Sequence, residues 1–336
     1  MVSGGEARRR IVPLLALAAG LSLLGWLLHH TGVEPVWERL RVLGWGAPLV
    51  FVPYLVIAMI DARGWRLALP PAARARIPLP GLMVTRMAGE AVNSLTPAAA
   101  LGEPVKAYLL RPWGVTGSEA LASVVISKTA LIASQSLFTA LGIVALLVRI
   151  GRPRLALGWL VVLLIICALF TMGLVWVQHR GPGAALWRLV RRVAPRATLV
   201  DRLETSVAAF DHRLREFYRG EPRTFLHAST WHFAGWLLGA VEVVVMVTMM
   251  GRSVSWPDAF VIETLAQPIR ATSILVPAGI GTQELGGVWL CTFLGMAEAD
   301  AVTLWLLKRA RELLFDGVGL TYLAQHGGRR AVRGNG

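Results

Sequence analysis

Long apolar runs alternate along this chain with short, arginine-bearing stretches. The runs 11–28, 47–61, 118–148, 155–177, 225–250 and 299–324 have the length or composition of membrane spans, since a helix needs roughly 20 apolar residues to cross the hydrocarbon layer. They predict about six full spans. Two further apolar stretches, 82–110 and 258–296, are interrupted by proline and glycine, at Pro97 and Gly102 and at Pro277 to Gly281. The halves of 82–110 are too short to cross separately, so this stretch reads as a broken, re-entrant pair of half-helices. The stretch 258–296 is longer and reads either as the same device or as two spans. Between the two halves, Leu199, Leu203, Val207, Phe210, Leu214 and Phe217 recur at steps of three and four, which predicts an amphipathic helix on or under the membrane.

Composition agrees with that pattern. At 55% hydrophobic and 16% charged residues, with mean hydropathy +0.58, the chain is too apolar for an ordinary soluble domain. The formal charge of +14 would suit a nucleic-acid binder, but the arginines collect beside apolar runs, where they meet anionic headgroups instead. Arg8, Arg9 and Arg10 before an apolar run also suit a secretory signal; no small-x-small site follows Leu28, which favours an uncleaved first span. Counting outward from these arginines places Glu34 and Glu38 in an outer loop and Arg63, Arg66, Arg74 and Arg76 in a cytoplasmic one. The segment 178–222, with nine arginines, becomes a cytoplasmic amphipathic loop. Arg149, Arg152 and Arg154 fall on the side that the positive-inside bias disfavours. Cys167 and Cys291 lack metal-ligand spacing. The expected fold is an all-α polytopic membrane helix bundle, one membrane domain over 1–336. Its halves are 1–155, with broken helix 82–110, and 223–325, with broken helix 258–296.

These halves repeat. NSLTPAAALGE (Asn93 to Glu103) leads to Lys128, and TSILVPAGIGTQE (Thr272 to Glu284) leads to Lys308. The chain has three lysines against 31 arginines, and Lys106, Lys128 and Lys308 all lie in these two regions. The topology count makes the repeat inverted, the architecture of alternating-access transporters.

A proline followed by glycine ends one half-helix and starts another, and the freed amides there suit an anion. Arg86, Glu90, Asn93 and Pro97 share one helical face that runs into the first break, with Gly102 and Glu103 beyond it. Glu263, Gln267, Arg270 and Ile274 share the corresponding face before the second, with Pro277, Gly279, Gly281, Gln283 and Glu284 in the break itself. Intramembrane charges are costly and must be offset by pairing, water or ligand. Two structural Arg–Glu pairs, or a pathway for a polar headgroup, would both meet that demand. Lys308 has Glu312 at i+4 and Asp316 at i+8, with Arg309 and Arg311 beside it, while Lys128 has Gln135 two turns on. Lys106, near Arg111, reads as snorkelling to an interface, as do His227 and His232 as interfacial residues. Trp45, Trp113 and Trp256 read as interface anchors. Gly235 and Gly239 form a GxxxG spacing that suits close packing or a homodimer. No Walker loop, HExxH, nucleophile elbow or dinucleotide-binding pattern occurs, and the histidines form no metal cluster. Neither a cofactor nor a metal is therefore expected.

At these residues the chain resembles the lysylphosphatidylglycerol synthase transmembrane-region family of flippase-like membrane proteins. The likeness is strongest over RMAGEAVNSLTPAAALGEPVKAYLL and IETLAQPIRATSILVPAGIGTQE through LLKRARE. It is closest to the branch associated with hopanoid biosynthesis, with its R-x-x-x-E-x-x-N segment and VPxGxGxQE loop. That pattern carries over to Arg86, Glu90, Asn93, Pro97, Gly102, Pro277, Gly281, Gln283, Glu284, Arg309 and Arg311. Lys128 departs from it, since the branch has an aspartate there. Full-length synthases of the family fuse this region to a soluble aminoacyl-transferase domain, for which the sequence after the last run leaves no room. The resemblance implies a multi-pass protein of the bacterial cytoplasmic membrane that translocates a lipid without aminoacylating it, and the lack of a nucleotide-binding motif implies that it does so without ATP. The anionic phospholipid, aminoacylated lipid, hopanoid and polyprenyl-linked precursor classes stay open. A scaffold or accessory enzyme of lipid biosynthesis, docking through 178–222, is the competing expectation.

Overall fold

A computed structural model describes residues 21–96, 101–193, 199–272, 276 and 279–327. Most of the first expected span, together with Pro97, Ile274 and Pro277, lies outside the described residues. Within them the chain is helical, with no strand. Helix α1 covers 21–31, followed by α2 (Val33–Leu43), a 3-10 segment (Gly44–Phe51), α3 (Val52–Ala68), α4 (Pro71–Arg76), α5 (Leu79–Leu95), α6 (Gly102–Leu109) and α7 (Gly117–Arg149). Then come α8 (Pro153–His179), α9 (Pro182–Val193), α10 (Leu199–Gly220), α11 (Pro222–Met249), α12 (Trp256–Thr272), α13 (Thr282–Phe293) and α14 (Glu298–Gly327).

The segments Val33–Ala68, Gly117–Arg149, Pro153–His179 and Pro222–Met249 are long and apolar enough to cross a membrane. At 30 residues α14 is long enough too, but it carries Lys308, Arg309, Arg311, Glu312 and Asp316. Proline in the first turn starts α3, α5, α8 and α11, where its missing amide costs nothing. A capping box starts α7: the Thr116 hydroxyl accepts from the Glu119 amide at 3.3 Å, and Glu119 accepts from the Thr116 amide at 3.1 Å.

Three boundaries differ from the sequence expectation. Glu34 and Glu38 sit on α2 instead of in a loop, because Val36 and Leu43 on its inner face find buried positions. The second span continues to Ala68, so Arg63 and Arg66 are helical. The stretch 178–222 is two helices, not a loop. Asp211 of α10 caps α9 by accepting from the Gly183 and Ala184 amides at 2.9 and 2.8 Å. Leu214, Phe217 and Tyr218 are buried against Trp65, Ile77 and Leu110, which holds α10 against the bundle.

The helix ends gather at two poles. At one, Glu221 pairs with Arg74 (2.8 Å) and Arg213 (3.5 Å), and α4, the end of α6 and the start of α7 join α10 in one apolar cluster. At the other, Asp300 holds Arg39 (2.6 Å) and Arg252 (3.3 Å), and Arg149 meets Asp258 at 2.8 Å. That last pair offsets one of the arginines which the positive-inside bias disfavoured. The pair α5–α6 begins and ends at the first pole, and α12–α13 at the second. At about 1.5 Å per residue, α5 and α12 reach about 25 Å and α6 and α13 about 12 and 18 Å, short of the ~30 Å hydrocarbon layer.

The same neighbours recur in each half. Helix α3 packs on α5 as α11 packs on α12, α5 on α6 as α12 on α13, and α6 on α7 as α13 on α14. The halves exchange partners across the middle, α5 lying on α14 and α12 on α7, while α3 and α11 share an extensive antiparallel interface. Gly46 meets Met249, Gly235 lies beside Asp61, and Gly64 abuts His232. The GxxxG glycines are thus used within the chain: Gly235 faces Asp61 and Gly239 faces Glu263.

Candidate functional site

Two clusters of charge occupy the middle of the bundle, one for each break. In the first, Lys106 of α6 is buried and donates to Glu90 of α5 (2.6 Å) and Glu103 of its own helix (3.0 Å). Lys128 of α7 reaches the other oxygen of Glu103 at 3.3 Å. Arg86 Nη1 lies 2.9 Å from Asp61 Oδ2 on α3, and the second Asp61 oxygen is 2.7 Å from His232 Nδ1 on α11. His232 Nε2 is 3.3 Å from the Ser127 hydroxyl. Arg86, Glu90, Lys106, Ser127, Lys128 and His232 border a cavity of about 20 Å³, enough for a water molecule.

The second cluster is denser. Lys308 of α14 donates to Glu263 of α12 at 2.6 Å and lies 3.4 Å from Glu242 of α11, which also accepts from Arg311 in a very short contact. Arg309 bridges Glu284 (2.6 Å) and Glu312 (2.9 Å), and Glu312 meets Arg270 at 3.0 Å. Gln267 donates to Glu263 at 3.2 Å and accepts from Gln135 of α7 at 3.3 Å, which wires the cluster across to the first half. Tyr54 of α3 closes the gap between the clusters, with the Arg311 guanidinium 4.4 Å from its ring centre. Among the described residues, the buried Arg270 Nε and Glu242 Oε1 have no hydrogen-bond partner.

Of the break residues, Gly102, Gly279 and Gly281 are among those described, and the amides of Gly102 and Gly281 are already held. The Gly102 amide donates to Asn93 Oδ1 at 2.8 Å, and Asn93 Nδ2 donates to Glu103 at 3.2 Å. The Gly281 amide donates to Glu284 at 2.7 Å. Asn93 and Glu284 therefore occupy the anion positions that bare half-helix ends would offer, and cationic side chains are the groups left to meet a ligand. Both glycines are required. A Cβ at Gly102 would overlap the Gly89 carbonyl, and Gly281 has φ +80°. Gly279, also left-handed at φ +62°, lies against the Gln283 side chain, and its carbonyl accepts from Thr282.

The i+4 spacing does not set the partners of Arg86 and Lys308: Arg86 pairs with Asp61, not Glu90, and Lys308 with Glu263 and Glu242, not Glu312. Lys106–Glu103 and Arg309–Glu312 do pair within one helix, at i,i+3, and each of those two cations also meets a carboxylate of a neighbouring helix. Lys106 is no interfacial snorkeller: it is 5% exposed and bridges two carboxylates. His232 is likewise 1% exposed and fully engaged. Asp61, Lys106, Glu242 and His232 are the site residues that sequence reasoning missed. One signal did mark two of them: Asp61 and Glu242 stand 181 positions apart, as do Glu103 and Glu284.

Two grooves flank the clusters. One, about 600 Å³, runs between α5 and α14 along Val84, Leu313, Gly317, Val318 and Thr321. The other, about 270 Å³, runs between α7 and α12 along Ser136, Ala140 and Ala271. They sit at the exchanged helix contacts, and Gly317 and Thr321 are again 181 positions from Ser136 and Ala140. Leu163 and Cys167 of α8 line only the second.

These features define an all-helical, multi-pass membrane protein with a charged interior. The chain belongs to the family described as the lysylphosphatidylglycerol synthase TM region, whose model matches residues 14–318. It is similar to a UPF0104 membrane protein of Methanothermobacter thermautotrophicus, 24% identical over 234 residues that cover 66% of this chain and 68% of the relative. No solved structure matches it.

Proposed function

We propose that this protein moves a lipid with an anionic headgroup between membrane leaflets, without ATP, as an inverted repeat in which two broken helices enter from opposite poles. The observation that carries this reading is the pairing of each intramembrane charge cluster with a lateral apolar groove. A headgroup taken from water to hydrocarbon loses several kcal/mol of solvation. Arg86, Lys106 and Lys128 on one side and Arg270 on the other supply replacement partners, while tails stay in the grooves beside α14 and α12. The unmatched Arg270 Nε, on a guanidinium whose Nη2 lies 3.0 Å from Glu312, supports the anionic choice, because a buried N–H without an acceptor is costly until an oxygen meets it. The matching order of helix contacts and the constant 181-residue offset support the repeat.

The test is loss of labelled phosphatidylglycerol from the protected inner leaflet of reconstituted vesicles. Protein should speed that loss, and Arg270→Ala should return it to the protein-free rate while still purifying as a monodisperse particle. Equal rates with and without protein, across anionic, aminoacylated and hopanoid lipids, would reject the translocase.

A further inference from the structure

His232 pairs with Asp61 and is the member of the first cluster whose charge depends on whether it binds a proton. Its surroundings are settled from every side. Asp61 of α3 holds Nδ1 at 2.7 Å, Ser127 of α7 lies 3.3 Å from Nε2, and Gly64 of α3 packs flat against the ring. Across the small cavity stand Arg86 and Glu90 of α5, Glu103 and Lys106 of α6 and Lys128 of α7.

The order Ser127–His232–Asp61 is that of an acyl-transfer triad. As it stands the cavity of about 20 Å³ admits a water molecule, and neither an acyl group nor a headgroup enters until the cluster opens. What the same order can do is pass a proton. With Nδ1–H donated to Asp61, the Nε2 lone pair accepts from the Ser127 hydroxyl. Once Nε2 is protonated it donates to that hydroxyl instead, and the imidazolium pairs with Asp61. No bond other than those to the proton changes, and the proton comes from and returns to water through the cavity.

Charge counting gives the relay a purpose. Asp61, Glu90 and Glu103 balance Arg86, Lys106 and Lys128 in the first cluster; Glu242, Glu263, Glu284 and Glu312 balance Arg270, Lys308, Arg309 and Arg311 in the second. Asp316 of α14, near Glu90 and Glu312, belongs to neither count and is the competing proton acceptor; the paired groups themselves are neutral when His232 is neutral, so an arriving monoanionic headgroup adds an uncompensated negative charge in the membrane interior. A proton on His232 cancels it beside the same cavity. We infer that His232 is a proton-binding site whose occupancy is coupled to the anionic headgroup, so that lipid and proton move together. This rests on the lipid reading above and adds its energy source.

The experiment uses the full chain in detergent with dioctanoyl phosphatidylglycerol as probe and dioctanoyl phosphatidylcholine as control. Proton uptake is followed with an indicator dye in weak buffer, and binding by calorimetry. Binding of the anionic lipid should take up about one proton, and on the alkaline side affinity should fall about tenfold per pH unit. His232→Gln should bind the lipid without proton uptake and with a flat pH profile. Ser127→Ala, which keeps the imidazole, should retain uptake but slow it. If anionic lipid binds with no proton taken up, or if uptake survives His232→Gln and disappears in Asp316→Asn, the inference is overturned and the translocase stands. If no anionic lipid binds, both readings fall.

Discussion

The two charge clusters use similar residues and differ in how far water reaches them. In the first, Lys128 keeps 40% of its side-chain surface and Glu90 keeps 35%, around a water-sized cavity. In the second, Glu242, Lys308 and Glu284 keep 2% or less. A pair that water can reach gains little and is easily separated, whereas a fully buried pair must stay intact because either partner alone is an uncompensated charge. The first cluster is therefore suited to opening for a ligand, and the second to locking α11, α12 and α14 together. In an alternating mechanism these roles would exchange between the halves.

The largest expected effect tests that contrast directly. Lys308→Met removes the cation between Glu263 and Glu242 and should cost about 3–5 kcal/mol of stability. Lys128→Met, at the half-exposed equivalent, should cost at most about 1 kcal/mol while abolishing lipid movement. Thermal unfolding in detergent compares them, and equal losses would remove the distinction between lock and opening.

How much of this was legible follows from where each signal resides. The helices among the described residues and the interruptions before Gly102 and Thr282 were readable because they are local: apolar length, Pro–Gly interruptions and the three-and-four spacing that gave α10. The charged residues on the break faces were readable for the same reason. Their partners were not, because Arg86–Asp61, Lys308–Glu242 and Asp61–His232 join helices separated by 25 to 171 positions, and no helical period reports such a distance. Lys106 misled for a further reason: eight residues of α6 sit next to Arg111, which looks like an interface until Gly102 packs on Gly89 and carries the lysine inward. Asp61 and Glu242 stood in plain apolar runs, where only the 181-position offset could single them out.

A middle-sized effect sharpens the comparison between the breaks. At Gly102 an added Cβ meets the backbone of Gly89, which cannot give as a side chain could, so α5 and α6 must part. Gly102→Ala should cost about 1–3 kcal/mol and displace Lys106 from Glu90, with transport lost. Gly281→Ala holds alanine at φ +80°, a strain of about 1–2 kcal/mol, and should leave the Arg309–Glu284 pair in place. Comparing unfolding with transport for the two separates a blocked site from a merely strained turn; identical transport in both would show that close approach at the first break is not needed.

The smallest expected effect concerns the grooves. They are equivalent by position, yet only the one between α7 and α12 is lined by α8, which leaves the groove between α5 and α14 as the wider lateral path from bilayer to charge. Val318 is 44% exposed on that path, and a tryptophan there occupies space that a lipid tail would use without touching any ion pair. Val318→Trp should leave stability unchanged within about 0.5 kcal/mol and slow lipid movement about fivefold, equivalent to about 1 kcal/mol on the barrier. Val161 of α8, also lipid-exposed at 54%, provides the matched control, since Val161→Trp adds the same bulk away from both grooves. A slowing shared by the two variants would point to a general response to surface bulk. Slowing confined to Val318→Trp would mean that the tails travel beside α14, next to the cluster whose charges the headgroup must pass.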